Sequence, residues 1–288
     1  MAQVTMSGEA GFAYVSDKTA GVTTSGMAQT DGSVTIAATD DLGGGMKLSA
    51  AHTVDLKGRS AVTAENSTMV LSGAFGSVLM GAINAGNGII GKGAPGAVGR
   101  GLDGVVVDGD TPVDLIQYTS PELMTGLNVF VNTAEITVGA GNGSFQGTGM
   151  GVNYSAGPLA VTFDSTNYSG YAASVALATQ LDSRQRLSFS YDMGVAKVGY
   201  GTQAKSYQGT GVDNNQTVMG VTAPVGAFTV SLARVTNDND AAADQSGTDL
   251  GINYALSKRT ALNFSSLKFK TDGAASDTKT RLRLKTTF

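Results

Sequence analysis

The chain has 288 residues, of which 15% are charged, with a net charge of −4, 40 glycines and neither cysteine nor tryptophan. That balance excludes a basic nucleic-acid-binding surface, a disulfide framework and a thiolate site. No apolar run approaches the ~18–20 residues a transmembrane helix requires. The hydrophobicity is dispersed, which suits thin alternating strands better than helical bundles. At the amino terminus, Met1-Ala2-Gln3 reads as a mature start behind an initiator methionine, with no secretory leader.

Alternation begins at once. Val4, Met6, Ala10, Phe12 and Tyr14 share one phase of the stretch Gln3 to Ser16, and Gln3, Thr5, Ser7 and Glu9 share the other. Since successive strand side chains point to opposite faces, this is a strand with one apolar side. Asp17 to Gly26 reads as a polar loop, and Val34, Ile36 and Ala38 mark a second strand that stops at Asp40-Asp41-Leu42-Gly43-Gly44-Gly45. Met46, Leu48 and Ala50 then oppose Lys47 and Ser49. A polar connection from Lys57 to Asn66 precedes Met69 and Leu71, the turn Gly73-Ala74-Phe75-Gly76, and a fifth strand with Val78, Met80 and Ala82.

From Asn84 to Pro112 the rhythm stops. The stretch is glycine-rich, carries Lys92, Arg100, Asp103, Asp108 and Asp110, and is long enough to predict a functional loop. Strands return at Ile116 and Tyr118, at Leu127 to Val131, at Met150 to Tyr154 and at Leu159 to Phe163. Tyr168 to Gln185 is open to two readings, loop or additional strand. Leu187 to Tyr191, Val198 with Tyr200, Met219 with Val221, Phe228 to Leu232 and Leu250 to Leu256 alternate in turn. After Ser257-Lys258-Arg259, Leu262 and Phe264 lead to the last strand. There Lys279, Arg281, Arg283 and Lys285 occupy one phase, Leu282 and Leu284 the other, and the chain ends on Phe288.

Short Gly/Pro reversals alternate with longer polar connections near Asp17, Arg59, Asn84, Val138, Gly170, Ser206, Asn237 and Asp272. Short turns at one end and long loops at the other are the pattern of an outer-membrane barrel. The strand count is sixteen if Tyr168 to Gln185 is mostly loop. Bacterial single-chain barrels have even counts, which selects that reading. The predicted fold is all-β: one transmembrane antiparallel β-barrel domain over residues 1–288.

With those turns in place, the chain resembles the general porins of Gram-negative bacteria, the β-proteobacterial and neisserial type most of all. The resemblance is carried by Asp40 to Lys47, Leu71 to Gly76, Tyr118 to Pro121, Leu256 to Leu262 and the terminal Phe288. It implies a sixteen-stranded homotrimeric barrel in the outer membrane, amid lipid and lipopolysaccharide, whose third outer loop folds inward and narrows the lumen. Residues 84–112 fall where that constricting loop belongs. Relatives place arginines in the second strand and after the fifth, where this chain has Thr35-Ile36-Ala37-Ala38 and Gly81-Ala82-Ile83-Asn84. Part of the usual basic cluster is therefore missing.

Alternation assigns Lys47, Arg186, Lys197, Lys279, Arg281, Arg283 and Lys285 to the lumen, with Glu9, Asp164, Asp192 and Asp249 as lumenal acids. Fixed charges lining a pore set ion preference through focused potential. Together with Lys92 and Arg100, the loop acids Asp103, Asp108 and Asp110 are expected at the constriction, the acids facing the wall cations. Glu9 is expected beside Arg281 or Arg283, because the first and last strands must pair to close a barrel.

Other motifs weigh less. Gly91 to Gly96 and Gly99 to Gly104 match a dinucleotide-binding spacing, yet no helix pattern follows and Pro95 interrupts one copy, so no cofactor is expected. His52 has no partner at catalytic or metal-ligand spacing, which leaves an interfacial or subunit contact and argues against an outer-membrane hydrolase. Asn237 to Asp240 with Asp244 lacks the spacing of a Ca²⁺ loop and reads as solvated, so no metal is assigned. Tyr14, Tyr118, Tyr154, Tyr191, Tyr200 and Tyr254 fit an interfacial girdle. The function predicted is a passive channel for ions and small hydrophilic solutes, and not catalysis. The alternative is a plugged barrel that binds through its outer loops.

Overall fold

The computed structural model describes residues 3–58, 61–96, 102, 104–137, 144–209 and 213–288. Sixteen antiparallel strands close into a barrel, each paired with its sequence neighbours and β1 with β16. They are β1 (Gln3–Thr19), β2 (Val22–Gly43), β3 (Met46–Asp55), β4 (Thr63–Gly73), β5 (Gly76–Ala85), β6 (Thr111–Thr119), β7 (Leu127–Thr137) and β8 (Ser144–Ala156). The second half comprises β9 (Leu159–Ser169), β10 (Leu181–Asp192), β11 (Lys197–Tyr207), β12 (Asp213–Val225), β13 (Phe228–Asn239), β14 (Gln245–Ala255), β15 (Thr260–Thr271) and β16 (Asp277–Thr287). Closure satisfies every ladder edge that an open sheet would leave bare, the condition for strands to cross a bilayer.

Alternation sorts the wall as expected. Met6, Phe12, Tyr118, Met150, Tyr191, Leu232, Leu282 and Leu284 are exposed on the outer face. In water such a belt would be an aggregation surface; in lipid it is the matched one. The residues between them point inward, and Gln203, Gln216, Asp249 and Ser265 are almost wholly buried there. The segment between β9 and β10 is a loop with a single 3-10 turn at Leu177–Thr179, which keeps the strand count even.

Two expectations about strand limits need correction. Asp17 to Gly26 is not a loop: β1 and β2 run on as a hairpin and reverse at Ala20-Gly21, where φ is 49° and 83°. Positive φ at both turn residues matches the right-handed strand twist in a two-residue hairpin. The polar sequence reflects ladder that stands above the apolar belt. Likewise β4 begins at Thr63, inside the stretch whose polar residues suggest a connection.

Closure follows the register Glu9↔Thr287 through Lys18↔Thr278. Glu9 therefore meets Lys285, at 2.6 Å, rather than Arg281 or Arg283. Beyond the seam, Gly8 and Phe288 exchange two backbone hydrogen bonds of 3.0 Å. The Phe288 ring occupies the space that a side chain at position 8 would need.

Candidate functional site: the barrel interior

The described residues of the connection from Gly86 to Asp110 are attached to the inner wall of β10 to β15. Its only helical turn among the described residues, α1 (Ile90–Gly93), sits against β10, β11 and β12. Glycines make the approach possible. A Cβ on Gly201 would lie 2.6 Å from the Ile89 carbonyl oxygen, and one on Gly220 would lie 2.8 Å from the Ala94 Cα. A Cβ on Gly199 would collide with the Lys92 carbonyl oxygen. Backbone thus lies directly on backbone along three neighbouring wall positions, the close approach for which a strand glycine is suited.

An apolar cluster continues the attachment. Ile89, Ala94, Leu102, Val106 and Val107 bury themselves against Val218, Ala233, Val235 and Leu267. These wall residues point inward, where an unobstructed aqueous lumen would call for polar side chains. Each buried aliphatic side chain contributes roughly 1.5–3 kcal/mol. The hydrophobic core of this protein is therefore the contact between the connecting segment and one side of the lumen.

Polar contacts complete it. The Asp108 carboxylate lies 2.8 Å from Lys205 Nζ and accepts from the side-chain amides of Gln203 at 2.7 Å and Gln216 at 2.8 Å. Burial pushes the Asp108 carboxyl upward, but the Lys205 charge and these hydrogen bonds outweigh it and hold the group below the usual carboxylate range. Arg186 donates through Nη1 to the Asn87 carbonyl at 2.8 Å, while its Nε lies 3.0 Å from Asp164. Lys92 donates to Thr162 Oγ1 at 2.7 Å, and burial together with the nearby Lys197 charge lowers its pKa.

A second charged cluster bridges the closure seam. Arg283 donates to both oxygens of Asp31 at 2.9 and 3.1 Å, and Lys285 lies 3.2 Å from Asp31 as well as close to Glu9. Arg283 and Lys285 of the final-strand row thus point inward, and both are neutralised in place.

The remaining expected site residues separate. Lys47 and Lys197 face inward near the short-turn end of β3 and β11. Lys279 stands over the Phe269 ring at 5.9 Å, and Arg281 is inward on β16. Arg100 and Asp103, with most of the second glycine motif, lie outside the described residues. Asp108 is a correction: expected to face the wall cations across a gap, it is ion-paired to the wall itself. Asp110 borders open space. Asp192, expected as a lumenal acid, accepts the Gly194 N–H at 2.8 Å and fixes a short turn. Asp240 and Asp244 accept backbone N–H groups from Asp213 and Asn239 at 3.2 and 2.9 Å. His52 faces outward on β3 with Nδ1 3.0 Å from Ser67 Oγ.

Sequence reading missed Asp31, Arg184 and Lys205. Asp31 follows the Gly11/Phe12 register shift, and the polar run Gln29-Thr30-Asp31-Gly32 hides a strand. Arg184 shares the two-residue spacing of Arg186 and Ser188, a signal that was available.

A cavity of about 710 Å³ remains between the Gly86–Asp110 segment and the wall of β5 to β11. A closed sixteen-strand barrel with an apolar outer belt, a charged interior and such a space defines the class: a membrane-spanning channel protein. A family model for Gram-negative porins matches residues 1–274, and the chain belongs to that family, whose members are outer-membrane channels for passive diffusion.

Solved structures share the architecture. An anion-selective porin from Comamonas acidovorans is 24% identical over 100% of both chains, with a TM-score of 0.79. The trimer form of OmpT from Vibrio cholerae is 13% identical over 100% of this chain and 99% of its own, with a TM-score of 0.74. A Rh. blastica porin mutant is 13% identical over 99% and 100%, with a TM-score of 0.68. No curated protein sequence matches the chain.

Proposed function

We propose that the Gly86–Asp110 segment is the constriction of this porin, and that ions and small hydrophilic solutes pass on the side it leaves free. The observation that carries this reading is the one-sided attachment: the segment is fixed to β10 to β15, and the cavity of about 710 Å³ lies towards β5 to β11. Wall and segment act by shape and fixed charge, without a chemical step, so the chain is not an enzyme.

A homotrimer fits the outer surface of β1 to β5. There Gly8, Ala10, Ala38, Ala50 and Ala82 give small outward residues around the His52–Ser67 hydrogen bond, a surface on which another wall can seat closely. Lipid and lipopolysaccharide would surround the remaining belt.

Single-channel recording in a planar bilayer tests the channel. Stable conductance steps, in groups of three for a trimer, are expected. A folded, heat-resistant barrel that inserts and never conducts would overturn the reading and favour the plugged binding barrel.

A further inference from the structure

The cavity beside the connecting segment has a divided lining, charged and polar on one part and apolar on another. Its wall from β5 to β8 presents Ile83, Leu115, Phe130 and Phe145 inward, opposite the outward Met80, Ile116 and Met150. At those positions both faces of the wall are apolar, while Gln117, Asn132 and Asn153 stand inward between them. The rings have room because inward positions of β8 are glycine: Phe130 takes up the space at Gly151, and the Tyr168 ring that at Gly147. Phe145 stacks on Tyr171 at 4.4 Å and meets Tyr168 edge-on at 5.8 Å.

Cations of two kinds face this surface. Arg186 and Lys205 are consumed by Asp164 and Asp108. Arg184 and Lys92 are not: no carboxylate lies within ion-pair distance of either among the described residues. Arg184 is held over the Tyr168 ring at 5.8 Å, and its Nε is buried with no hydrogen-bond partner among the described residues. Arg184 also lines the cavity, and a cation without a counter-charge in such a site favours an incoming anion.

We infer that this cavity is a binding site for amphiphilic organic monoanions, a carboxylate on a small aromatic or aliphatic body. The carboxylate meets Arg184, and the body lies against Phe130, Phe145, Ile83 and Leu115. A small hydrophilic ion would gain only the charge and a neutral hydrocarbon only the apolar wall, so selectivity arises from the two together. The inference rests on the channel reading for its consequence, transit of such solutes. Binding at the site itself requires only the folded barrel.

Benzoate and acetate are the probes. In bilayers, benzoate flux should saturate, and millimolar benzoate should reduce KCl conductance at concentrations at least tenfold below those at which acetate does. Arg184→Gln should weaken the benzoate effect about tenfold, the scale of one charge-assisted hydrogen bond. Phe130→Ser should weaken benzoate and leave acetate unchanged. If the channel conducts KCl but benzoate and acetate act alike, the site is refuted and the channel stands. If no conductance appears, calorimetric titration of the detergent-folded barrel decides: benzoate binding lost in Arg184→Gln supports the site without a channel, and heat equal to acetate's refutes it. If Arg184→Gln fails to fold, Phe130→Ser decides in its place: a selective loss of benzoate supports the site, and an unchanged benzoate effect refutes it.

Discussion

Arg283 on β16 reaches Asp31 on β2, at 2.9 Å, across the strand that lies between them. The bridge passes over Gly11 of β1, where a Cβ would collide with the Asp31 carboxylate. Three strands at the closure of the barrel are therefore tied by one inward ion pair, with Asp31 and Arg283 side chains only 8% and 13% exposed. Replacing Gly11 by Val should break this tie by steric exclusion. Asp31→Ala should destabilise the barrel by about 3 kcal/mol, since it strands a buried guanidinium. Heat-dependent mobility of the folded form on gels reads both, and Ala13→Gly on the same strand serves as the mild comparison.

The same pair bears on ion preference. Arg283→Gln removes a lumenal cation and frees the Asp31 charge. The anion-to-cation permeability ratio should fall on the order of twofold. A salt-gradient reversal potential measures it, and an unchanged value in a folded barrel would place the seam outside the conducting path. Lys197→Gln should shift the ratio in the same direction without affecting stability.

Acid should loosen the segment later than carboxylates ordinarily titrate. The Asp108 carboxyl is lowered from 3.8. Such a group contributes attachment that is fully present above the ordinary value and is lost as pH falls through its own lower value. Conductance and its noise are thus expected to be constant from neutral pH down to about 4, changing only further below. Asp108→Asn should abolish that transition and weaken attachment by about 1–3 kcal/mol, because Lys205 loses its partner.

Steric tests separate the segment from the wall. Gly199→Leu should leave the barrel closed while forcing Lys92 and its neighbours away, which raises protease sensitivity between Gly86 and Asp110. Val221→Leu, on the outer face of the neighbouring strand, should do neither. Ile89→Asn buries an unpaired amide and should cost the attachment about 2–4 kcal/mol by the same readout.

Much of this molecule was legible in its letters. Strand phase placed Arg186, Lys197 and the final-strand cations inward, because one face in lipid and one in water force a period of two. The interior contacts were harder. Asp31 sits beyond a bulge that resets the phase, and Lys205 and Arg184 fall in stretches whose polar residues mimic a connection. Val218, Ala233 and Val235 did carry a signal, the loss of alternation where both faces are apolar. Only contact with a distant segment explains that loss. Asp108 shows the limit most plainly: its charge could be read, but whether it faces the wall or touches it is decided by a fold-wide distance.

The glycines at 199, 201 and 220 hold the connecting segment by what they lack. A scaffold fixed main chain to main chain does not depend on which side chains the segment displays on its free side. Asp110 and its free-side neighbours are open to exchange, while the three anchoring glycines are not. Descendants of this gene can therefore retune what passes through by drift in a few letters, and an engineer can graft new recognition groups there without rebuilding the support.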